Sequence, residues 1–235
     1  MSSKLKNLLR MAAGPVRERG LVETVRSVRS CLHDRARERA DPFDAAFGTD
    51  TEQRVTLADL EATGGDVPAL WRYWPTPRAT FGRIMEAVSV PFSQTTFVDL
   101  GSGKGRVLLM AAEYSFHAIV GVELSPSLHA IARANLSCWR SPTQRCRRVE
   151  LLCMDARDWQ PPSGELLVYL FQPFPAETLR AVIDHLAGAA GVVHLAYLNP
   201  LHHALVVGSG AFARVHHEPA AQKGEFDWAI YRSTM

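Results

Sequence analysis

Three glycines at alternate positions follow a short hydrophobic run, and this spacing suits a turn that binds a ligand. The segment 97–106 reads FVDLGSGKGR, with glycines at 101, 103 and 105. Glycine lets a backbone turn sharply and approach a ligand with no Cβ in the way. A helix that begins directly after the turn presents free N–H groups to the same ligand. We therefore expect a ligand site here, at the carboxyl end of a strand.

The spacing of these glycines argues against two common nucleotide-binding loops. A P-loop requires GxxxxGK followed by Ser or Thr, whereas Gly103-Lys104 is followed by Gly105. A dinucleotide-binding loop reads GxGxxG, and Arg106 stands where its third glycine would fall. That third glycine admits close helix packing in dinucleotide folds, so its replacement counts against such a cofactor.

Acidic and amide side chains end the next three hydrophobic runs. Glu123 lies 22 residues after Gly101, near the spacing at which a carboxylate accepts hydrogen bonds from ribose hydroxyls. Asp155 follows the third run, where it is placed to receive an amine donor from an adenine. Gln172 lies within 171–174 as an amide flanked by aromatic rings. Because the carboxyl ends of parallel strands form one crevice, we expect these side chains to face the same ligand.

Together these motifs resemble class I S-adenosylmethionine-dependent methyltransferases. The segments that carry the resemblance are DLGSGKGR at 99–106, GVELS at 121–125, MDA at 154–156 and YLFQPF at 169–174. They occur in the family's order and roughly at its spacing, over about residues 95–232. The lead-in Trp-Pro-Thr-Pro at 74–77 is similar to that of small bacterial members with a Y-x-PTP lead-in and a YNPF fourth motif.

The resemblance implies S-adenosyl-L-methionine as cofactor and assigns roles to individual residues. The implied cofactor-binding residues are Asp99, Gly101, Ser102, Gly103, Gly105, Glu123, Leu124, Asp155 and Ala156. Asp99 and the glycines would line the methionine end, Glu123 the ribose and Asp155 the adenine. The residues implied beside the transferred methyl group, and hence catalytic, are Gln172, Pro173 and Phe174.

The function we predict is methyl transfer to a nitrogen of a protein side chain or of a small amine. Gln172 would accept an N–H bond from the acceptor, and the ring of Phe174 would face a cationic product. A second interpretation is aminopropyl transfer or related chemistry on the same fold. A third is a non-catalytic binding module that holds the nucleoside, while an Arg-rich N-terminus binds RNA or an acidic protein. Nucleic acid is thus an open partner, although not the favoured one.

Alternating strands and helices must position these residues. Strands are predicted at 96–100, 118–122, 149–153, 166–171 and 192–198, with helices at 78–88, 104–114, 125–139 and 176–186. Two further strands, 211–217 and 226–231, have only a short link, which is typical of an antiparallel pair. The predicted fold is therefore α/β and doubly wound, with a mostly parallel seven-stranded sheet, an antiparallel C-terminal pair and an N-terminal helical extension.

Residues 1–77 are predicted to be a basic extension that precedes a methyltransferase (Rossmann-like) domain at 78–235. The first forty residues contain ten Lys or Arg, together with an apolar stripe at helical spacing. Residues 41–77 are interrupted by Gly and Pro and are expected to be irregular. We interpret the arginines as a solvated helix face, with binding of an acidic partner, nucleic acid or anionic lipid as the alternative.

Composition and the remaining side chains argue against several other classes. The net charge of +2 is too small to indicate nucleic acid binding, and no secretory or membrane-spanning segment is expected, so a cytoplasmic location is predicted. The cysteines, expected to be buried free thiols, are Cys31, Cys138, Cys146 and Cys153. The pairs His202-His203 and His216-His217 would point to opposite faces of strands, so no metal site is predicted. Trp71 and Trp74 are expected either to cover the cofactor or to pack the extension onto the domain.

Overall fold

The computed structural model describes residues 42–53, 73–171, 174–221 and 225–234. The Arg-rich segment before residue 42, together with Trp71, Gln172 and Pro173, lies outside the described residues. The helices are α1 (Phe43–Phe47), α2 (Arg78–Ala87), α3 (Arg106–Ala111), α4 (Pro126–Cys138), α5 (Ala176–Ala187) and α6 (His203–Gly208). The strands are β1 (Thr95–Leu100), β2 (Ala118–Glu123), β3 (Val149–Cys153), β4 (Glu165–Phe171), β5 (Val193–Leu198), β6 (Phe212–Glu218) and β7 (Trp228–Ser233).

The seven strands form one sheet in the order β3-β2-β1-β4-β5-β7-β6. Strands β1 to β5 are parallel, whereas β7 is antiparallel to both β5 and β6. The predicted fold class is thereby confirmed, including the antiparallel C-terminal pair. From β1 the chain first moves outward to β2 and β3 and then returns to add β4 on the other side. This reversal places a crevice at the carboxyl ends of β1 and β4, where ligands bind in open α/β sheets.

Alternating side chains of the strands supply two separate hydrophobic cores, one on each face of the sheet. In β1, Phe97 faces a core that also contains Phe81 of α2 and Leu108 of α3. Its neighbour Val98 faces the opposite core, with Val182 of α5. Successive strand residues point to opposite faces, so a strand that is buried on both sides consists almost entirely of apolar residues.

The start of one helix and the presence of another differ from the sequence predictions. Helix α3 begins at Arg106 rather than at 104, because Gly105 as its N-cap has a left-handed φ of 81°. A short helix, α1, occupies part of the stretch that was expected to be irregular. Its Phe43 and Phe47 are four residues apart and their rings pack at 4.9 Å between centroids, which places them on one helix face.

Helix α4 agrees with its prediction. Ser125 caps α4, since its side chain accepts from the N–H of Leu128, and Pro126 occupies the first turn. Between Asp184 and Arg214 the sequence has no Asp, Glu, Lys or Arg, and this stretch contains the end of α5, the buried strand β5 and the short helix α6. None of the described helices combines the length and apolar character that a bilayer crossing needs. The boundary between 77 and 78 stays a prediction.

Candidate functional site

The glycine loop between β1 and α3 is fixed against the end of β2. Gly101, Gly103 and Gly105 have φ angles of 83°, 54° and 81°, which glycine adopts without steric cost. The N–H groups of Gly101 and Ser102 donate to the carbonyl oxygen of Val122 at 2.8 and 3.0 Å. The loop therefore has one defined shape at the carboxyl ends of two adjacent strands.

The carboxylate of Glu123 ends β2 and is anchored by backbone groups on two sides. Its Oε2 accepts from the N–H of Gly103 at 2.7 Å, and its Oε1 accepts from the N–H of Ser125 at 2.8 Å. Burial raises the pKa of this carboxyl group, while hydrogen bonds from Ser125, Gly103 and Leu124 act in the opposite direction. Each carboxylate oxygen carries two lone pairs, so capacity remains for further donors.

Asp99 is a second buried carboxyl group at the same edge of the sheet. Its side chain belongs to β1, and the residue is only 3% exposed. Burial, and secondarily the charge of Glu123, raises the pKa of Asp99 well above its ordinary value. Within the described part of the chain, no hydrogen bond reaches the Asp99 carboxyl group. A cationic group placed beside it would offset both effects and favour the ionised form.

Lys104 in the middle of the loop is paired with a residue of the preceding segment. Its Nζ lies 2.7 Å from Oδ1 of Asp50 and 5.6 Å from the centre of the Tyr73 ring. Asn135 of α4 holds the same region, since its Nδ2 donates to the carbonyl oxygens of Asp50 and Lys104, both at 2.9 Å. Its Oδ1 accepts from the N–H of Asp50 at 2.8 Å. The segment 43–53 is thereby attached to the loop.

Arg106 connects both described parts of the preceding segment to the first turn of α3. Its Nε donates to the carbonyl oxygen of Thr76 at 2.9 Å, and its Nη1 donates to Oγ1 of Thr51 at 2.8 Å. The hydroxyl of Tyr73 donates to the carbonyl oxygen of Thr51 at 2.7 Å. A Cβ at Gly103 would lie 2.6 Å from two carbons of the Tyr73 ring. The loop is therefore covered on this side by residues of 50–53 and 73–76.

Asp44 fixes the turn that carries Asp50 and Thr51. Its carboxylate accepts from the hydroxyls of Thr49 and Thr51 and from the N–H groups of Thr51 and Glu52, at distances of 2.6–2.8 Å. Burial alone would raise the pKa of Asp44, but these hydrogen bonds outweigh it and hold the pKa below its ordinary value. The turn is therefore held together by hydrogen bonds within residues 44–52.

The sequence analysis did not identify four residues around the loop: Asp50, Thr51, Tyr73 and Asn135. Of these, only Asn135 could have been identified from the sequence pattern. The buried residues of α4 are Leu128, Ala132 and Asn135, which recur at the spacing of an inward-facing stripe. A polar amide on such a stripe needs hydrogen-bond partners in the interior, which here are backbone groups of residues 50 and 104.

Asp155, expected to contact an adenine, forms a close ion pair in the structure. The Nη2 of Arg157 lies 2.7 Å from its Oδ2, and the N–H of Arg157 donates to its Oδ1 at 2.8 Å. The hydrogen bond from the Arg157 side chain is the main reason that the pKa of Asp155 is lowered. The neighbouring Ala156 is buried, whereas Leu124, another predicted contact, is 49% exposed.

Of the three residues predicted beside the methyl group, only Phe174 is described. It is partly buried and packs against the core that contains Val98. Gln172 and Pro173 lie outside the described residues, and their roles stay predictions. Tyr169 of β4 is buried, and its hydroxyl lies 2.9 Å from Oγ1 of Thr76. Burial raises the pKa of Tyr169 above its ordinary value, so the phenol stays protonated at neutral pH.

Three aromatic rings lie together next to the end of β4. Phe171, the last residue of β4, packs edge-on against Phe226 at 5.2 Å between centroids. Trp74 also packs edge-on against Phe226, at 5.6 Å between centroids. In the chain, Phe171 immediately precedes Gln172, which was predicted to meet the methyl acceptor.

The described histidines and cysteines were examined in the sequence for metal binding and for burial, and the structure shows their partners and exposure. No group of three potential ligands arranged for a metal ion occurs among the described residues. His216 stacks on Trp228 at 4.8 Å, and Nδ1 of His203 lies 2.8 Å from the Tyr231 hydroxyl. His202 and His203 lie at the start of α6, so the strand geometry expected for this pair was wrong.

Cys146 is a buried free thiol as expected, but Cys138 and Cys153 are exposed, because they end a helix and an edge strand.

Comparison with known proteins finds a family model that matches the part of the chain around this site. Residues 97–190 match the family model described as methyltransferase domain. None of the curated proteins is similar enough in sequence to match the chain. A SAM-dependent methyltransferase from Leishmania major is similar in structure, with 12% identity, a TM-score of 0.50 and coverage of 65% of this chain and 70% of that one.

Two further solved structures resemble the chain at the level of the fold. Magnesium protoporphyrin IX methyltransferase from Synechocystis with bound SAM has 14% identity and a TM-score of 0.49 over 67% of this chain and 77% of that one. A ribosomal protein L11 methylase from Lactobacillus delbrueckii has 14% identity and a TM-score of 0.48 over the same shares. The part of the chain that matches the methyltransferase domain model, residues 97–190, includes the glycine loop and Glu123.

Proposed function

We propose that this protein transfers the methyl group of S-adenosyl-L-methionine to a nitrogen atom of a protein side chain or of a small amine. One observation carries the proposal: the loop N–H of Gly103 and the Glu123 carboxylate are joined at the switch point of the sheet, within the residues that match a methyltransferase domain. S-adenosyl-L-methionine is the cofactor. The acceptor nitrogen is the finer part of the proposal and depends on the residues around the end of β4.

The described residues fit the cofactor at two of its polar ends. Glu123 has two anchored oxygens with remaining lone pairs, which suits hydrogen bonds from the two ribose hydroxyls. Asp99 has a buried carboxyl group with no hydrogen bond from the described residues, beside the loop where the methionine ammonium would lie. An ammonium ion there would supply the positive charge that a buried carboxylate needs.

The adenine end depends on Asp155 and Ala156. Arg157 holds the Asp155 carboxylate in one orientation through both its side chain and its backbone N–H. We propose that Asp155, fixed in this way, accepts the exocyclic amine of the adenine with a lone pair that Arg157 does not use. The buried Ala156 would lie next to the base.

The chemistry requires mainly alignment and the exclusion of water. Bound S-adenosylmethionine supplies a methyl group that its sulfonium already activates. The protein has to orient the lone pair of a neutral amine along the S–CH₃ axis, and good alignment can supply roughly 7–11 kcal/mol of a barrier. We propose that Gln172 accepts an N–H bond from the amine and so directs its lone pair, with Pro173 and Phe174 beside it.

The aromatic rings next to Gln172 support an amine as acceptor. Phe171, Phe226 and Trp74 form a cluster, and Phe174 follows two residues after Gln172. Methylation of an amine gives a product that carries a positive charge. Aromatic rings stabilise such cations through their quadrupoles, by about 0.5–2 kcal/mol per contact.

Calorimetric titration with S-adenosylhomocysteine tests the cofactor, with NAD and ATP as control ligands. We expect micromolar binding of S-adenosylhomocysteine and none of the controls. Absence of binding by a protein whose circular dichroism shows it to be folded would contradict the proposal.

Methyl-labelled S-adenosylmethionine then tests the acceptor atom, using small amines and lysine-containing peptides. Label on nitrogen survives mild base, whereas the methyl ester of a carboxylate releases methanol. Label that is released by base would reject nitrogen as the acceptor while leaving the cofactor assignment intact.

A further inference from the structure

A pocket lies at the start of β3, whereas the proposed cofactor site lies at the end of this strand. It has a volume of about 380 Å³, within the size range of small-molecule sites. Its lining residues are Leu136, Trp139, Arg140, Gln144, Arg147 and Val149. Val149 is the first residue of β3, whereas Asp155 follows its last residue, Cys153. At about 3.3 Å per residue, the two ends of this strand are about 13 Å apart, so the sites are separate.

The polar groups in the lining of this pocket are mostly hydrogen-bond donors. Trp139 is only 2% exposed, and its Nε1 has no acceptor in the described part of the chain. Because this nitrogen atom has almost no accessible surface, it does not reach the open space of the pocket, and the donors available to a ligand are the guanidinium groups of Arg140 and Arg147. The amide of Gln144 is already used, because its Nε2 donates to the carbonyl oxygen of Cys146 at 3.1 Å.

The loop around the pocket is rich in arginine, and the Glu113 carboxylate that binds this loop accepts from the hydroxyls of Ser141 and Thr143 and pairs with Arg78. Arg140, Arg145, Arg147 and Arg148 are all exposed, and none of them forms an ion pair with a described residue. The Nη1 of Arg140 donates to the carbonyl oxygens of Ser137 and Trp139 at 3.0 and 2.7 Å, which positions its guanidinium beside the pocket. A ligand that brings several acceptor oxygens and negative charge would complement this arrangement.

We propose that this pocket binds a phosphate group attached to an organic ligand. The guanidinium groups of Arg140 and Arg147 match phosphate oxygens, because a planar fork of N–H donors binds such oxygens two at a time. Leu136 and Val149 provide apolar surface for the organic part of the ligand. This inference does not depend on the methyl acceptor or on the cofactor site.

Calorimetric titration of the full chain tests the pocket with two phosphate sources. The probes are ribose 5-phosphate, with ribose as its neutral control, and a single-stranded RNA of twelve nucleotides. We expect one saturable site for the monoester and no binding of ribose. Tighter binding of the RNA, falling steeply as salt is raised, would identify the source as a nucleic acid strand. If neither phosphate-bearing probe binds, the proposal is wrong.

Arginine variants link that binding to the pocket. Arg140→Gln and Arg147→Gln should each weaken the tighter probe at least tenfold. The matched control is Arg133→Gln, an exposed arginine of α4 outside the lining, and it should change affinity less than twofold. Equal affinity in the Arg147→Gln and Arg133→Gln proteins would overturn the site.

S-adenosylhomocysteine affinity should be unchanged in all three arginine variants, so failure here is distinguishable from failure of the cofactor site.

Discussion

The backbone N–H of Gly103 donates a 2.7 Å hydrogen bond to Oε2 of Glu123, so the glycine loop and the end of β2 form one unit. The other oxygen of the same carboxylate accepts from the N–H of Ser125 at 2.8 Å, at the start of α4. The residue proposed to bind the ribose therefore also sets the shape of the loop proposed to bind the methionine. Loss of either backbone contact should affect both ends of the cofactor.

Glu123→Gln tests this double role. An amide keeps one acceptor oxygen but turns an NH₂ group toward the second backbone N–H, so one hydrogen bond to a charged group is lost. Such bonds are worth about 1.5–3 kcal/mol, and we expect S-adenosylhomocysteine affinity to fall at least about tenfold. Calorimetric titration measures it, with the exposed Glu150→Gln as control. Equal affinities in the two variants would separate Glu123 from the cofactor.

Asp99→Asn should make the cofactor-free protein more stable at high pH. Burial and the charge of Glu123 raise the pKa of Asp99 well above 3.8, so the folded state retains a proton that the unfolded state has already lost. Stability from this group is therefore fully present below the unfolded pKa and is lost as pH rises through the folded pKa. Asparagine is neutral throughout and removes this loss.

Thermal unfolding of the Asp99→Asn protein between pH 4 and pH 8 measures the effect. We expect its Tm to exceed that of the parent protein at pH 8, with the difference shrinking toward pH 4. The exposed Asp158→Asn is the matched control and should show no such trend. A Tm difference that is constant across the range would contradict the assigned pKa shift.

Gly103→Ala should reduce stability even before cofactor is added. The sequence analysis gives the glycine a role in ligand approach, but an added Cβ would first meet the Tyr73 ring at 2.6 Å. The φ of 54° adds about 1–2 kcal/mol of strain for a residue with a Cβ. Urea unfolding of Gly103→Ala in the parent and in a Tyr73→Ala background separates the two costs. A smaller loss in the Tyr73→Ala background is expected, whereas strictly additive losses would exclude the ring contact.

Gly191→Ala should destabilise the fold strongly. A Cβ there would lie against the carbonyl oxygen and carbon of Gly164, well inside van der Waals contact, and both atoms belong to backbone. The φ of 152° adds strain, so we expect a loss of about 3 kcal/mol or more. Gly82→Ala in α2 meets no atom within 4 Å and should gain about 0.5–1 kcal/mol. Urea unfolding compares the two variants, and similar values would show that Gly191 and Gly164 are not in close contact.

Gln172→Ala should lower turnover while leaving cofactor affinity intact. If Gln172 orients the acceptor, its loss misplaces the nitrogen, which can cost on the order of 10²-fold in rate. Initial rates with the acceptor found by methyl labelling, together with S-adenosylhomocysteine titration, give the two quantities. Equal losses in both would place Gln172 with the cofactor rather than with the acceptor. The exposed Gln160→Ala should change neither.

The elements that carry the site were predictable because their signals are local. A buried strand that runs into glycines has one short-range interpretation, and Gly101, Gly103 and Gly105 do adopt the left-handed backbone that their type allows. The capping pair Ser125-Pro126 fixes where α4 begins for the same reason. The small helix α1 was missed because two phenylalanines in five residues give too short a period to distinguish it from a loop.

The sequence by itself determined the strand and helix alternation, the glycine loop and the carboxylates at the ends of β1 and β2, since each depends on residues close together in the chain. Only the tertiary structure decided that Asp50 pairs with Lys104 and that Asn135 binds the backbone of residue 50, across 54 and 85 positions. It also decided that Arg157 forms an ion pair with Asp155. Such pairings follow from which groups lose water together when the two cores close, and no periodic pattern in the chain encodes them.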